Sequence, residues 1–279
     1  LLSRADAALR QAQTDGGNAW RLAPTTEEVR ARSASAWRDL LTTCLQQNQW
    51  RLFAQPVRRL DGSGTTLHHE ILLRLPTDEG LLSAADFMPM AYRHGLATQV
   101  DKTVIAAVLD QWPTAGPADL RVAINLSAIS LTDVSFHGWL LQTLDRHPDR
   151  ASRLTFEVPE YGAALHLTAL RTLINELARR GSGVGLDHFG RGFNPFGYLA
   201  GIKPSYLKVD GRYVHSLPQD ADSRFFIRTL REVAHGLDCL IIAEAVENAD
   251  QLRAIEELRV DAAQGHHLAT PEPWPQLPG

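Results

Sequence analysis

Six apolar runs in this chain each end in one acidic, amide or lysine residue. They are LHHEILLRL around Glu70, RVAINLS at Asn125, LTFEVPE at Glu157, GVGLDHF at Asp187, YLKVD at Lys208 and LIIAEAVE at Glu244. Short β-rich runs that stop at a polar residue have the pattern of buried parallel strands with functional groups at their carboxyl ends. In a (β/α) barrel that end carries the chemistry. Carboxylates and an amide oxygen suit a hard divalent cation, and the lysine adds a proton handler or a phosphate contact. Taken singly, each acid is most often a helix cap or a surface residue. Six at successive strand ends resist that explanation, because an unpaired buried charge costs on the order of several kcal/mol.

The elements that must hold these residues alternate. From Arg51, LFAQPVRRL, the turn DGSG and TTLHHEILLRL read as two strands joined by a Gly-rich turn. Helical spacing then covers roughly 84–94, 98–112, 134–147, 163–180, 219–237 and 248–257. Strand-like runs fall near 120–126, 153–158, 183–187, 205–209, 239–244 and 260–264. Such alternation predicts an α/β fold with a parallel sheet and crossover helices, and the number of units favours a closed barrel. Ahead of it, residues 1–13 have helical spacing, TDGGN stops that helix, and TTEE reads as the cap of a long helix over about 26–48.

The 279 residues are 44% hydrophobic and 22% charged, an ordinary globular composition for one large domain with a small appendage. A net charge of -4 gives no global nucleic-acid footprint, so an anionic ligand must be held by local cations or metals. Cys44 and Cys239 lack metal-ligand spacing and read as buried reduced thiols. No apolar stretch approaches the ~20 residues that span a bilayer. The chain begins at Leu1 in mid-pattern, as a fragment of a longer protein would.

Residues 51–275, about four-fifths of the chain, resemble the EAL domain, the family that binds and cleaves the bacterial messenger cyclic di-GMP. AQPV with EILLRL, FMPMAYRHGL, INLS, FEVPE, LDHFGRGF, YLKVDGRYV, IIAEAVEN and AAQGHHLATPEP follow the family order, with EIL standing where EAL is usual. The resemblance implies a modified TIM (β/α)8 barrel with one antiparallel strand over 49–279, after a linker helix over 26–48. LLSRADAALRQAQTDGGNAW is similar to the end of a GGDEF domain, which implies a diguanylate-cyclase remnant over 1–25.

By the same resemblance, Glu70, Asn125, Glu157 and Asp187 would hold a first Mg2+ or Mn2+. Asp187 would bridge to a second cation, with Glu244 nearby and His188 at the position of that cation's own ligand. The cations would polarise the phosphodiester for in-line attack by water. Lys208 would orient or deprotonate that water, and Gln264 would help hold it. Gln55, Leu72 and Arg74 would contact the ligand, Arg74 through a charge-assisted phosphate bond. Asp210 matches an acid near the metals, and Glu160 and Glu247 match positions that anchor the active-site loop.

The departures point away from efficient turnover. Where the family has two aspartates this chain has Asp187-His188, and a neutral imidazole is a poor Mg2+ ligand. Arg191 stands for a threonine, Phe193-Asn194-Pro195 for Tyr-Ser-Ser, and Tyr92 for an acid; Arg74-Leu75-Pro76 replaces the usual Arg-Trp-His-Pro stretch. This pattern resembles degenerate EAL domains that bind cyclic di-GMP without cleaving it, and most of all LapD-type receptors. The reading is a cyclic di-GMP receptor module with weak or no hydrolysis, for which no cation is strictly required. The alternative is a metal-dependent phosphodiesterase producing pGpG. Partners implied are cyclic di-GMP, a second copy through this domain, and upstream GGDEF and membrane-anchored sensor domains. No nucleic-acid polymer is implied, and the location implied is a cytoplasmic domain of an inner-membrane protein.

Two further signals have plain readings. His68-His69 and His266-His267 are adjacent pairs, and alternation on a strand keeps both rings of a pair from one metal. RFFIRTLREVAHGL is an amphipathic helix, read as core packing before a dimer face.

Overall fold

The computed structural model describes residues 33–113, 119–191 and 196–276. The GGDEF-like remnant over 1–25 and the loop residues 193–195 lie outside the described residues. The larger of two compact units comprises Arg51–Arg74 and Thr98–Gly279, and it contains the barrel.

Ten strands form among the described residues: β1 (Arg51–Arg59), β2 (Thr66–Thr77), β3 (Gly80–Ser83), β4 (Val122–Asn125), β5 (Leu154–Pro159), β6 (Gly183–Phe189), β7 (Tyr206–Val209), β8 (Leu240–Ala243), β9 (Ala262–Ala263) and β10 (Glu272–Pro273). Eight of them close a ring in the order β1-β9-β8-β7-β6-β5-β4-β2, with β2 pairing back to β1. β1 is antiparallel to both ring neighbours, placing Gln55 opposite Glu70 and Arg58 opposite Ala263. Every other pair on the ring is parallel. The expected barrel with one reversed strand is therefore what this sequence forms.

The parallel strands are buried on both faces, which is why they read as continuous apolar runs. Ile124, Phe156, Leu186, Leu207 and Ile241 are fully buried. Polar caps set the helices that cover them. Asp133 Oδ1 accepts from Phe136 N at 3.0 Å to start the helix Val134–Asp145, and Asn248 accepts from Gln251 N at 3.0 Å to start Ala249–Glu257. The helix Ala221–His235 buries Ile227, Leu230 and Ala234, the core role read from its spacing, while Phe225 is exposed. Cys239 is buried and free.

The smaller unit includes residues 33–50 and 75–97. Its first described helix runs over Ala34–Gln47 and buries Trp37, Leu41 and Cys44, the second free thiol. The expected start near 26 lies outside the described residues. Ser33 is extended, and its hydroxyl accepts from Ala36 N, so the described helix begins there. A second helix, Ala84–Arg93, starts where Asp86 accepts from Ser83 N and Oγ, and its Phe87 ring lies 5.4 Å from that of Trp50. No described helix is long and apolar enough to cross a membrane.

Candidate functional site

The strand ends bring the polar residues together around one ammonium group. Lys208, wholly buried on β7, places Nζ 2.8 Å from Glu70 Oε2, 3.1 Å from Glu157 Oε2, 3.0 Å from Glu244 Oε1 and 3.7 Å from Asp187 Oδ1. Asn125 Nδ2 donates to Glu70 Oε1 at 2.7 Å. Gln264 Nε2 donates to Glu70 Oε2 at 2.8 Å and to Gln55 Oε1 at 3.3 Å. Residues from β1, β2, β4, β5, β6, β7 and the segments after β8 and β9 thus meet at the end where barrels of this class carry their sites.

Charge governs this cluster. Four carboxylates face one lysine, so formal negative charge is in excess. Burial first, and then the charges of Glu70 and Asp187, push the Glu157 carboxyl well above its usual range against the pull of Lys208. Glu244 is likewise raised, by burial and by Asp187. Burial alone would depress Lys208, but Asp187, Glu157, Glu70 and Glu244 together raise it, so it stays an ammonium. Burial also opposes ionisation of Asp187, yet Lys208 and His188 carry it below the usual carboxylate range. An anionic nest of Glu70, Asn125, Glu157 and Asp187 oxygens fits a hard divalent cation, which would offset the excess charge.

The second corner of the site differs. Asp187, His188 and Glu244 offer ligand atoms that all lie within 4.8 Å of one another. His188 Nε2 is 3.5 Å from Asp187 Oδ2, and Nδ1 is 3.4 Å from Glu244 Oε2. Two consecutive residues face one place because the strand is bulged. The pairing of β6 with β7 shifts between Leu186 and Phe189, and His188 has φ 54°. A bulge re-aims a side chain that alternation would send away. Burial works against the imidazolium, but the hydrogen bond to Glu244 and the charges of Asp187 and Glu244 raise the His188 pKa above its ordinary value.

Behind the corner, Asp210 is almost fully buried and caps the helix Gly211–Ser216. Its Oδ1 accepts from Arg212 N at 3.0 Å and Arg212 Nε at 2.9 Å, and its Oδ2 accepts from Arg191 Nε. Burial would raise Asp210, but these cationic and backbone donors hold it below the usual range. Glu160, buried at the start of the helix Glu160–Leu165, accepts from Gly190 N at 2.9 Å and ties down the segment after β6. Gly190 has φ 96°, and a Cβ there would meet Tyr213 at 2.7 Å, so only glycine fits.

A cavity of about 480 Å³ opens onto the cluster. Gln55, Glu70, Leu72, His188, Asp210, Glu244, Glu247 and Gln264 line it, with Arg191 and Arg212. Arg74 is not among the lining residues. It shares the Glu70 and Leu72 face of β2, but its Nη1 donates to Leu73 O at 3.0 Å and its guanidinium lies 5.7 Å from the Phe53 ring centre. Glu247 is mostly exposed at the rim.

Sequence reasoning overlooked two buried supports. Tyr206 OH donates to Glu157 Oε1 at 2.8 Å; it lies two residues before Lys208 on one strand face, a spacing that could have revealed it. Asp101 Oδ2 accepts from Ser127 N at 2.9 Å, from Ser130 Oγ at 2.6 Å and from Ser127 Oγ, fixing the turn after Asn125. An acid inside the apolar run ATQVDKTVIAAVL was its signal. His68 is packed as expected, its ring stacked 5.0 Å from that of Tyr206.

A closed eight-stranded barrel with one reversed strand and an acid-lysine cluster at its strand ends defines a TIM-type (β/α) barrel. Residues 37–271 match the EAL domain family model, and the chain belongs to that family. It is 29% identical over 281 residues to the bifunctional diguanylate cyclase/cyclic di-GMP phosphodiesterase MucR of Pseudomonas aeruginosa, covering 99% of this chain and 41% of MucR. It is similar to the crystal structure of the Pseudomonas aeruginosa FimX EAL domain bound to c-di-GMP, with 27% identity, a TM-score of 0.77, and 85% and 96% of the two chains covered. It is also similar to the S helix-GGDEF-EAL structure of Vibrio cholerae LapD bound to c-di-GMP, with 26% identity, a TM-score of 0.80, and 95% and 64% covered. The chain thus spans about two-fifths of MucR and under two thirds of that LapD chain.

Proposed function

We propose that this EAL domain binds cyclic di-GMP as a receptor module and hydrolyses it weakly or not at all. The observation that carries this reading is the His188 imidazole, held 3.4 Å from Glu244 and 3.5 Å from Asp187. A protonated ring there places positive charge in the corner a second cation would need, and a neutral ring offers nitrogen that Mg2+ disfavours. In this reading Glu70, Asn125, Glu157 and Asp187 hold at most one Mg2+ or Mn2+. Gln55, Leu72, Arg74 and the Asp210 wall contact the ligand, and Glu160 anchors the loop. When bound, a divalent cation polarises the phosphodiester. Lys208 and Gln264 orient water at the Glu70 carboxylate.

The alternative is a metal-dependent phosphodiesterase giving pGpG. The specific observation in its favour is that Glu70, Asn125, Glu157, Asp187, Lys208, Glu244 and Gln264 all converge on one point. In the parent protein, GGDEF and membrane-anchored sensor domains upstream and pairing with a second copy belong to the same proposal. Equilibrium binding of labelled cyclic di-GMP to the purified chain, in EDTA and in Mg2+, tests it. Saturable binding in both supports the receptor reading; no binding in either defeats it.

A further inference from the structure

The cavity holds a cationic feature that the strand-end motifs do not account for. Arg191 and Arg212 come from different segments, one after β6 and one in the helix after β7, yet both sit on the same carboxylate. We infer that Arg191 and Arg212, clamped on the two oxygens of Asp210, form a metal-free phosphate-binding wall of the cyclic dinucleotide cavity. This deepens the receptor reading above and rests on it.

The clamp is built to orient the pair. Asp210 is 1% exposed, so its carboxylate is fixed, and Arg212 N also donates to it at 3.0 Å. Each arginine is bound to Asp210 through Nε, its inner nitrogen, which leaves outer amino groups, Nη1 in the case of Arg212, to face another acceptor. Arg212 Nη2 reaches Gly190 O at 3.4 Å, which fixes that fork further. Both guanidiniums are more than half exposed and line the cavity. Two guanidiniums against one carboxylate leave the wall with a net positive charge. A planar fork held in this way suits the paired oxygens of a phosphodiester.

The rest of the cavity sorts the ligand's two phosphates. Glu70, Glu244 and Glu247 line other parts of it and repel an anion unless a divalent cation intervenes. A cyclic dinucleotide carries two phosphodiesters. One can sit over the carboxylate nest when a cation is present, and the other belongs at the Asp210 wall whether or not one is. The wall thus supplies binding energy that chelation does not remove.

Titration of labelled cyclic di-GMP into the purified chain in EDTA tests this, with wild type, Arg191→Ala, Arg212→Ala and the double variant. Wild type is expected to bind in EDTA, each single change to weaken binding about tenfold, and the double change to weaken it further. Arg191→Lys keeps the charge without the fork and is expected to fall between wild type and Arg191→Ala. It also keeps the test open if an alanine variant loses its thermal transition. Variants that bind within about threefold of wild type in EDTA overturn the inference, as does wild-type binding that needs Mg2+. Wild type that binds in neither condition removes the receptor reading itself and the inference with it.

Discussion

His188 Nδ1 stands 3.4 Å from Glu244 Oε2, on a backbone turned to φ 54° within a strand bulge. Aspartate tolerates that left-handed conformation as well as histidine does. His188→Asp therefore restores an acid without straining the chain. It is expected to raise Mg2+-dependent release of pGpG over wild type, measured by chromatography of the products. No gain would mean that the altered loop after Arg191, and not the ligand at 188, limits turnover.

Lys208 is the charge on which the carboxylate nest closes. Lys208→Met keeps the length and leaves Glu70 and Glu157 facing each other without a cation. Breaking a buried pair in this way costs about 3–5 kcal/mol. The thermal midpoint in EDTA is expected to fall, and Mg2+ or Mn2+ to recover part of the loss. A midpoint equal to that of wild type in EDTA would contradict the pairing.

Asp101 gives a pH signature. Burial raises its carboxyl to about 6 from 3.8, against the hydrogen bonds of Ser127 and Ser130. The folded state therefore binds the proton more tightly than the unfolded chain. The group favours folding most below its unfolded pKa, and that favour is lost as pH rises through about 6. A shift of this size corresponds to about 3 kcal/mol between pH 4 and 7. In urea melts, the stability difference between wild type and Asp101→Asn should change over that window. A pH-independent difference would place the ionisation elsewhere.

Glu160 holds the loop through Gly190 N at 2.9 Å. Glu160→Gln weakens a charged acceptor worth about 1.5–3 kcal/mol. Amide exchange at Gly190 should speed up and cyclic di-GMP affinity should fall. Unchanged exchange at Gly190 would show that the loop is held by other contacts.

The barrel was legible because its parallel strands are short, apolar and buried on both sides, and each carries at or near its carboxyl end a residue that cannot be buried unpaired. Glu70, Glu157, Asp187, Lys208 and Glu244 stand together for that reason. The bulge at His188 was not legible, because it is a backbone torsion that a period-2 pattern does not encode. Nor was the sharing of Asp210 by Arg191 and Arg212, which depends on the segment after β6 meeting the helix after β7. The described helix Ala34–Gln47 starts at the Ser33 cap, whose hydroxyl accepts from Ala36 N. Arg74 keeps its expected strand face, but its guanidinium turns to Leu73 O, a rotamer choice the sequence does not state.

The most direct test is to incubate the purified chain with labelled cyclic di-GMP in Mg2+, Mn2+ and EDTA, and to count bound and linear nucleotide in the same samples. The account predicts binding that survives EDTA, with little or no pGpG under any condition. Efficient, metal-dependent conversion to pGpG would contradict it and would make this domain a working phosphodiesterase that tolerates His188.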